Sequence, residues 1–188
     1  MRHAAMGLAL LGLSACGSTL DSMRNNVEGA ETTMGPALAQ QKLAFDGGCL
    51  ASIIDGKPLD GLMAATPSAR SVPVSETGSP SATSAWRIGE QNQTFVMLLP
   101  GGACSASVTM GDPQRLYDAA VAMMLARAQF TKGQVDGSGD GLAERTSWCT
   151  AGAFPYVVAI YKRTTGRRAA FLANVFKAQG ATFSSCNP

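Results

Sequence analysis

Apolar residues at helical spacing give the clearest element prediction in this chain, within the stretch GDPQRLYDAAVAMMLARAQF. Asp112 is a preferred N-cap residue, and Pro113 is preferred at the first helical position. A single apolar stripe follows at helical spacing; its members are Tyr117, Ala120, Val121, Met124, Leu125 and Ala128. We therefore predict an amphipathic helix whose stripe packs against a sheet.

Alternating and β-branched runs predict strands on both sides of that helix. Before it, TFVMLLP and CSASVTM predict a hairpin that turns at Gly101-Gly102, with a further strand at 86–88. After it, PYVVAIYKR and RRAAFLANVFKA predict two strands joined at 164–166. Alternation places two sets of residues on opposite faces of the last strand, namely Phe171, Ala173 and Val175 against Leu172, Asn174 and Phe176. ATFSSC is expected to return as an edge segment.

The first half of the chain is less regular. PALAQQKLAF predicts a helix from Pro36 that Gly47-Gly48 interrupts, and CLASII then predicts a buried turn. Residues 66–85 are rich in Ser, Thr and Pro, which predicts a long loop. The expected fold class is α+β, a single domain over 35–188 with an antiparallel sheet of five to six strands, two helices packed on one face and two disulfides.

The N-terminus has the features of an export signal. Arg2 and His3 precede the uncharged run AAMGLALLGL, which is too short to span a bilayer. The following LSAC, ending at Cys16, resembles the lipobox of bacterial lipoproteins, in which the cysteine is lipidated. The resemblance implies a signal peptide over 1–15, lipidation of Cys16, a flexible tether over 16–34 and anchoring in a membrane. The alternative is an ordinary secretory signal that leaves Cys16 as a free thiol.

The residue after Cys16 predicts which membrane receives the protein, again through the resemblance to lipoproteins. In such lipoproteins Gly17, rather than Asp, implies transport to the outer membrane, facing the periplasm, if the organism is Gram-negative. The expected localisation is therefore the cell envelope.

Four cysteines remain after removal of the signal and lipidation of Cys16. An even number in an exported domain predicts two disulfides, with three connectivities to choose from. We favour Cys49–Cys104 and Cys149–Cys186, because each pair closes one half of the domain. The wide spacings do not resemble a zinc site.

The composition of the mature chain argues against several functions. Its one histidine, His3, lies in the predicted signal, so Ser-His-Asp and Cys-His mechanisms lack their usual base. After loss of Arg2, 14 basic side chains balance 13 acidic ones, which argues against nucleic acid as a partner. No cofactor is predicted, and no residues are assigned a catalytic role.

One glycine-rich segment partly matches a calcium loop. Asp136, Ser138 and Asp140 alternate and precede Gly141, but Ser147 stands where an EF-hand needs a bidentate Glu. We therefore expect a solvated turn between helix and strand, with no metal site.

The predicted last hairpin concentrates positive charge. Lys162 and Arg163 precede its turn, and Arg167 and Arg168 follow it. These four side chains are candidates for binding an anion: a phospholipid or lipopolysaccharide phosphate, a peptidoglycan carboxylate, or an acidic envelope protein. The alternative is that they keep the hairpin soluble and prevent edge-to-edge aggregation.

The C-terminal sequence WCT…PYVVAIYKRTTGR…FLANVF is similar to the ending of uncharacterised bacterial lipoproteins. This resemblance brings no catalytic residue and no activity. The sequence favours a lipid-anchored interaction module of the envelope without catalytic activity. One alternative is a periplasmic inhibitor of a wall-degrading enzyme that uses the 66–85 loop, and an enzyme is a third reading.

Overall fold

The computed structural model describes residues 34–90, 94–136, 142–163 and 169–179, together with Cys186. These residues belong to one compact unit that starts at residue 33. Residues 1–33 lie outside the described residues. The signal peptide, the lipidation of Cys16 and the tether therefore stay predictions.

Three helices precede or connect the strands. Helix α1 runs as an α-helix over 34–42, continues as a π-helix over Leu43–Leu50 and ends with an α-helical turn over Ala51–Ile53. Helix α2 covers Leu59–Ala64, and helix α3 covers Pro113–Leu125. The predicted start of α3 is confirmed, because the Asp112 side chain accepts a hydrogen bond from the backbone N–H of Arg115 at 2.8 Å.

Within the described residues, eight strands form one sheet in which every neighbouring pair is antiparallel. The order across the sheet is β1-β2-β3-β4-β8-β7-β6-β5. The strands are β1 Ala69–Ser71, β2 Ser84–Ile88, β3 Thr94–Leu99, β4 Ala103–Val108, β5 Phe130–Asp136, β6 Leu142–Thr150, β7 Tyr156–Arg163 and β8 Phe171–Lys177.

The sheet consists of two four-stranded meanders joined along one seam. β1 to β4 form the first meander and β5 to β8 form the second. The connection through α3 carries the chain from β4 at the seam to β5 at the far edge, and β8 then returns to pair with β4. A long helix precedes each meander, α1 before the first and α3 before the second. The same order, a long helix followed by four strands, therefore occurs twice along the chain.

All three helices pack on one face of the sheet, which we call the helix face. Its core joins alternate residues of the strands, such as Val96, Ala106 and Phe171, to buried residues of the helices. Phe45 of α1 meets Phe171 edge to face, with ring centroids 6.1 Å apart. The prediction of helices on one face of an antiparallel sheet is confirmed.

The predicted strand count of five to six and helix count of two are wrong. The sequence does not predict β5 and β6. AQF reads as the end of the preceding helix, and apolar and polar residues do not alternate clearly in ERTSW. The glycine-rich segment after Asp136 consequently joins two strands, not a helix and a strand. The short α2 was also missed.

The predicted interruption of the first helix at Gly47-Gly48 is wrong, because both glycines lie within its π-helical part. Gly48 is buried where α1 meets β3, and a Cβ there would lie 3.3 Å from Val96 Cγ1. The absence of a side chain allows this close approach.

Two further predictions differ from the structure. The predicted apolar stripe of α3 included Leu125, which is 70% exposed, and Ala128, which is exposed beyond the end of the helix. It omitted Leu116, which is fully buried. Residues 66–85 contain β1, a single 3₁₀ turn over Val74–Thr77 and the start of β2, so they are only partly the predicted loop.

Candidate binding groove

A groove follows the seam between β4 and β8 on the face of the sheet opposite the helices, which we call the open face. The seam pairs Ser105 with Asn174 and Ser107 with Leu172. Alternation turns these four side chains to the open face, while Ala106 and Ala173 between them join the helix-face core. The groove encloses about 530 Å³, a volume typical of a small-ligand site.

The lining combines a polar floor with apolar walls. Small hydroxyl side chains form the floor, because Ser105 and Ser107 of β4 and Thr109, the residue after the end of that strand, follow each other at alternate positions. Larger side chains border the floor on both sides: these are Phe95, Met97 and Leu99 from the β3 side and Leu172 and Asn174 from β8. The floor is low because its side chains are smaller than their neighbours on either strand.

One wall of the groove comes from the chain segment between β1 and β2. The 3₁₀ turn and the two residues after it bring Glu76, Thr77 and Ser79 to the groove. Val72, Val74 and Ala82 of the same segment pack on Ala85, Phe95 and Met97 of the open face. Apolar contacts therefore hold this wall against the first meander.

The second meander carries a separate small cluster on the open face. Cys149 of β6 is bonded to Cys186 near the C-terminus, with Cα atoms 5.7 Å apart, and both join a small cluster with Val157, Phe176 and Ala178. This cluster and the one formed by the β1–β2 segment lie on opposite halves of the open face. The groove occupies the seam between them.

The described lining of the groove is almost uncharged. Glu76 is its single ionisable residue, and an Arg87 nitrogen lies 3.9 Å from the Glu76 carboxylate. Arg87 of β2 is the register partner of Phe95 on β3, and Phe95 is the register partner of Ser107 on β4. The Arg87 cation therefore lies on the same face and beside the groove. The ion pair leaves this part of the groove close to electrical neutrality.

A titratable cluster lies on the other face, between α3 and β6. Tyr117 donates a hydrogen bond to Glu144 Oε1 at 2.5 Å, and its hydroxyl also contacts Thr146 Oγ1. Burial, followed by the hydrogen bond to Glu144, raises the pKa of Tyr117 from 10.0 to about 12. Because these groups hold α3 on the sheet and face away from the groove, we assign them a structural role.

Both predicted disulfides are confirmed in their pairing. Cys49 of α1 is bonded to Cys104 of β4 across the helix-face core, with Cα atoms 5.3 Å apart. The second pair, Cys149–Cys186, lies on the open face as described above.

The predicted basic hairpin is described only in part. Lys162 is the register partner of Glu144 on β6 and of Phe171 on β8. Cross-strand partners share a face, so Lys162 belongs to the helix face and has an acidic neighbour there. Arg163 ends β7, whereas Arg167 and Arg168 lie outside the described residues. The prediction that these four residues bind an anion remains a prediction.

The described part of the chain shows neither a metal centre nor a membrane-spanning helix. No group of three or more His, Cys, Asp or Glu residues is placed there to hold a metal ion. Ser138 and Asp140 of the calcium-like segment lie outside the described residues, and Asp136 ends β5. Among the described helices, none combines the length and apolarity needed to cross a bilayer.

The groove itself was not found from the sequence. The signal for its floor is the alternation in ACSASVT, where small apolar residues and hydroxyl residues take turns. That pattern predicts a strand with one polar face, but it does not reveal which strand will lie beside it. Comparison with protein-family models, curated proteins and solved structures gives no match to this chain.

Proposed function

We propose that the protein is a non-catalytic binding module of the cell envelope, held at a membrane by a lipid on Cys16, and that the seam groove receives its partner. The observation that carries the proposal is the groove: a half-open volume of about 530 Å³ with a hydroxyl-bearing floor and apolar walls. Such a lining supplies contact area through its walls and directional hydrogen bonds through its floor.

The chemistry of the lining favours binding over catalysis. General acid–base catalysis needs titratable groups positioned at the reacting atoms. The described lining offers one carboxylate, Glu76, which Arg87 already accompanies. Ser105 and Ser107 have hydroxyls but no described base beside them in the lining, and they are only 3% and 8% exposed, so we propose that they meet a bound partner at the base of the groove and take no catalytic part.

The basic hairpin enters the proposal as a separate contact. Lys162 belongs to the helix face, so its ammonium does not serve the groove. We propose that Lys162, Arg163, Arg167 and Arg168 contact an anionic envelope component such as a lipid phosphate. This contact weakens with salt, because exposed charges are screened.

The inhibitor alternative receives less support. Such a protein would insert a protruding loop into an enzyme's cleft, and the 66–85 segment was the candidate for it. Val72, Val74 and Ala82 instead pack that segment onto the open face. We therefore do not carry this alternative forward.

Crosslinking in intact cells tests the proposal. The native protein is compared with Ser107→Trp, which fills the groove, and with Leu125→Trp, which adds the same ring at a 70% exposed site on α3. We expect Ser107→Trp to lose the partner and Leu125→Trp to keep it. The Lys162/Arg163/Arg167/Arg168→Glu variant reports on the hairpin separately.

Two results would contradict this proposal. Retention of every partner by a folded Ser107→Trp variant would remove the groove as the binding site. Asn174→Leu, a change of similar volume, is the second variant if Ser107→Trp does not fold. An empty set of partners for the native protein would contradict the binding function itself.

A further inference from the structure

We propose that Cys149–Cys186 is a redox-active disulfide, which a dithiol reduces and which re-forms while the protein stays folded. Cys49–Cys104, in contrast, is a permanent structural bond. Neither bond is among the described lining residues of the seam groove, so the redox site is separate from the one in the proposed function.

The two bonds differ in how far they are buried. Cys49 and Cys104 are both fully buried in the helix-face core. Cys149 is 5% exposed, and Cys186 is partly exposed at the edge of the small cluster on the open face. A disulfide is reduced only when a thiolate reaches one of its two sulfur atoms. Cys186 is therefore the bonded cysteine that a thiolate reaches most readily in the folded protein.

The core bond becomes accessible only when much of the core opens. Cys49 lies in the π-helical part of α1, between the buried residues Gly48 and Leu50. Cys104 lies on β4, which pairs with β3 on one side and with β8 on the other. A reductant reaches this bond only if α1 leaves the sheet. An opening of that size requires a large share of the free energy of unfolding.

The second bond lies near one end of the sheet, beside an exposed loop. Cys149 is the last residue but one of β6, and residues 151–154 after it are all exposed. Val157 and Ala178 are buried next to the bond, and Phe176 packs at the edge of the same cluster. The three described helices lie on the other face of the sheet. A reductant therefore reaches this bond without displacing any of them.

The sheet around Cys149 has attachments that do not depend on the disulfide. Cys149 is the register partner of Thr131 on β5 and of Val157 on β7. Beyond the end of β8, the backbone N–H of Ala178 donates a hydrogen bond to the carbonyl oxygen of Pro155 at 2.8 Å. These pairings remain after reduction. The Cys149 thiol consequently keeps its place on the sheet, ready for the bond to re-form.

Reduction consists of two successive thiol–disulfide exchanges. One thiolate of the dithiol attacks Cys186 Sγ, the bond between the two cysteines breaks, and Cys149 leaves as a thiolate that takes up a proton. The second thiolate of the dithiol then attacks its own partner sulfur in the mixed disulfide, and Cys186 leaves and is protonated. Two electrons and two protons reach the cysteine pair, and the dithiol becomes a cyclic disulfide. Re-formation of the bond transfers the same electrons and protons to a disulfide oxidant.

Timed alkylation of the native full-length protein tests this assignment. The folded protein is incubated with dithiothreitol and trapped with iodoacetamide at intervals, and peptide mapping then quantifies each cysteine. We expect Cys149 and Cys186 to be alkylated at least about tenfold faster than Cys49 and Cys104, which are the internal control. The near-UV circular dichroism should persist once the first pair is reduced. Oxidised glutathione, added after removal of the reductant, should restore the same pairing.

A monothiol identifies the sulfur atom that is attacked. Glutathione has no second thiol to resolve the mixed disulfide, so a brief incubation stopped with acid leaves an adduct on the cysteine attacked first. We expect the adduct on Cys186 and a free thiol at Cys149. An adduct mainly on Cys149 would contradict the point of attack that the burial of the two residues indicates.

The variant Cys149→Ala/Cys186→Ala is the matched control for the reduced protein. The two should share the same midpoint of urea unfolding, because both lack this bond and keep Cys49–Cys104. Equal reduction rates at the two disulfides, or earlier reduction of Cys49–Cys104, would overturn the proposal. Loss of the near-UV signal together with the reduction of Cys149–Cys186, or failure of the bond to re-form, would overturn it as well. None of these results bears on the seam groove, which the crosslinking experiment tests separately.

Discussion

Ser105 of β4 and Asn174 of β8 face each other in register across the seam, although 69 positions separate them in the sequence. Their pairing joins the two meanders and sets two polar side chains side by side on the open face. The groove follows this seam, between the two apolar clusters of the open face. The site is thus a product of topology more than of any local motif.

The two disulfides differ in what they stabilise. Cys49–Cys104 crosses the main core, where both residues are fully buried, whereas Cys149–Cys186 joins a small cluster on the open face. Replacing either pair with Ala should lower the free energy of unfolding by about 2–4 kcal/mol. We expect the larger loss for Cys49–Cys104, because its removal also disturbs the core. Urea unfolding of the two double variants checks this order, and a larger loss for Cys149–Cys186 would contradict it.

The two adjacent glycines of α1 should respond in opposite directions. At Gly47 a Cβ meets only a backbone oxygen at 4.0 Å, so Gly47→Ala should raise the free energy of unfolding by about 0.5–1 kcal/mol through helix propensity. At Gly48 a larger side chain would press on Val96 and Met63, so Gly48→Val should lower it by about 1–3 kcal/mol. Thermal or urea unfolding measures both. Equal tolerance at the two sites would refute the close packing of α1 on β3.

Tyr117 predicts an alkaline limit to stability. Its pKa is raised from 10.0 to about 12 in the folded protein, so the folded state holds this proton more tightly than the unfolded chain does. The contribution is complete below about pH 10 and is lost as the pH rises through 12, with a full size on the order of 2–3 kcal/mol.

Tyr117→Phe provides the control for that pH dependence. This variant lacks the ionising hydroxyl, so its free energy of unfolding should fall less steeply above pH 10 than that of the native protein. Urea unfolding at a series of pH values measures the two slopes. Identical slopes would show that Tyr117 does not hold its proton in the way described here.

The sequence predicted the elements that have strong local signals. Asp112-Pro113 identified the start of α3, Gly101-Gly102 identified the β3–β4 turn, and alternation assigned the faces of β8 correctly. The turn prediction works because both glycines adopt positive φ, at 79° and 76°. Cysteine count and the division of the domain into halves also gave the correct pairing.

Local sequence patterns do not predict the features of the fold that depend on residues far apart in the chain. The order of strands depends on where the connection through α3 delivers β5, which no periodicity encodes. β6 was missed because Glu144, Arg145 and Thr146 look like loop residues, yet Thr146 is fully buried beside Tyr117. The groove was missed for the same reason, since Ser105 and Asn174 become neighbours only when the two meanders meet.

The most direct test of the central claim places a photo-crosslinking residue, p-benzoylphenylalanine, at position 172 on the groove wall or at position 125 on α3. Leu172 lines the groove and Leu125 is 70% exposed on the opposite side of the sheet. Irradiation of intact cells should give a discrete crosslinked product from position 172 and none of the same mass from position 125. The same product from both positions, or from position 125 alone, would contradict the assignment of the seam groove as the binding site.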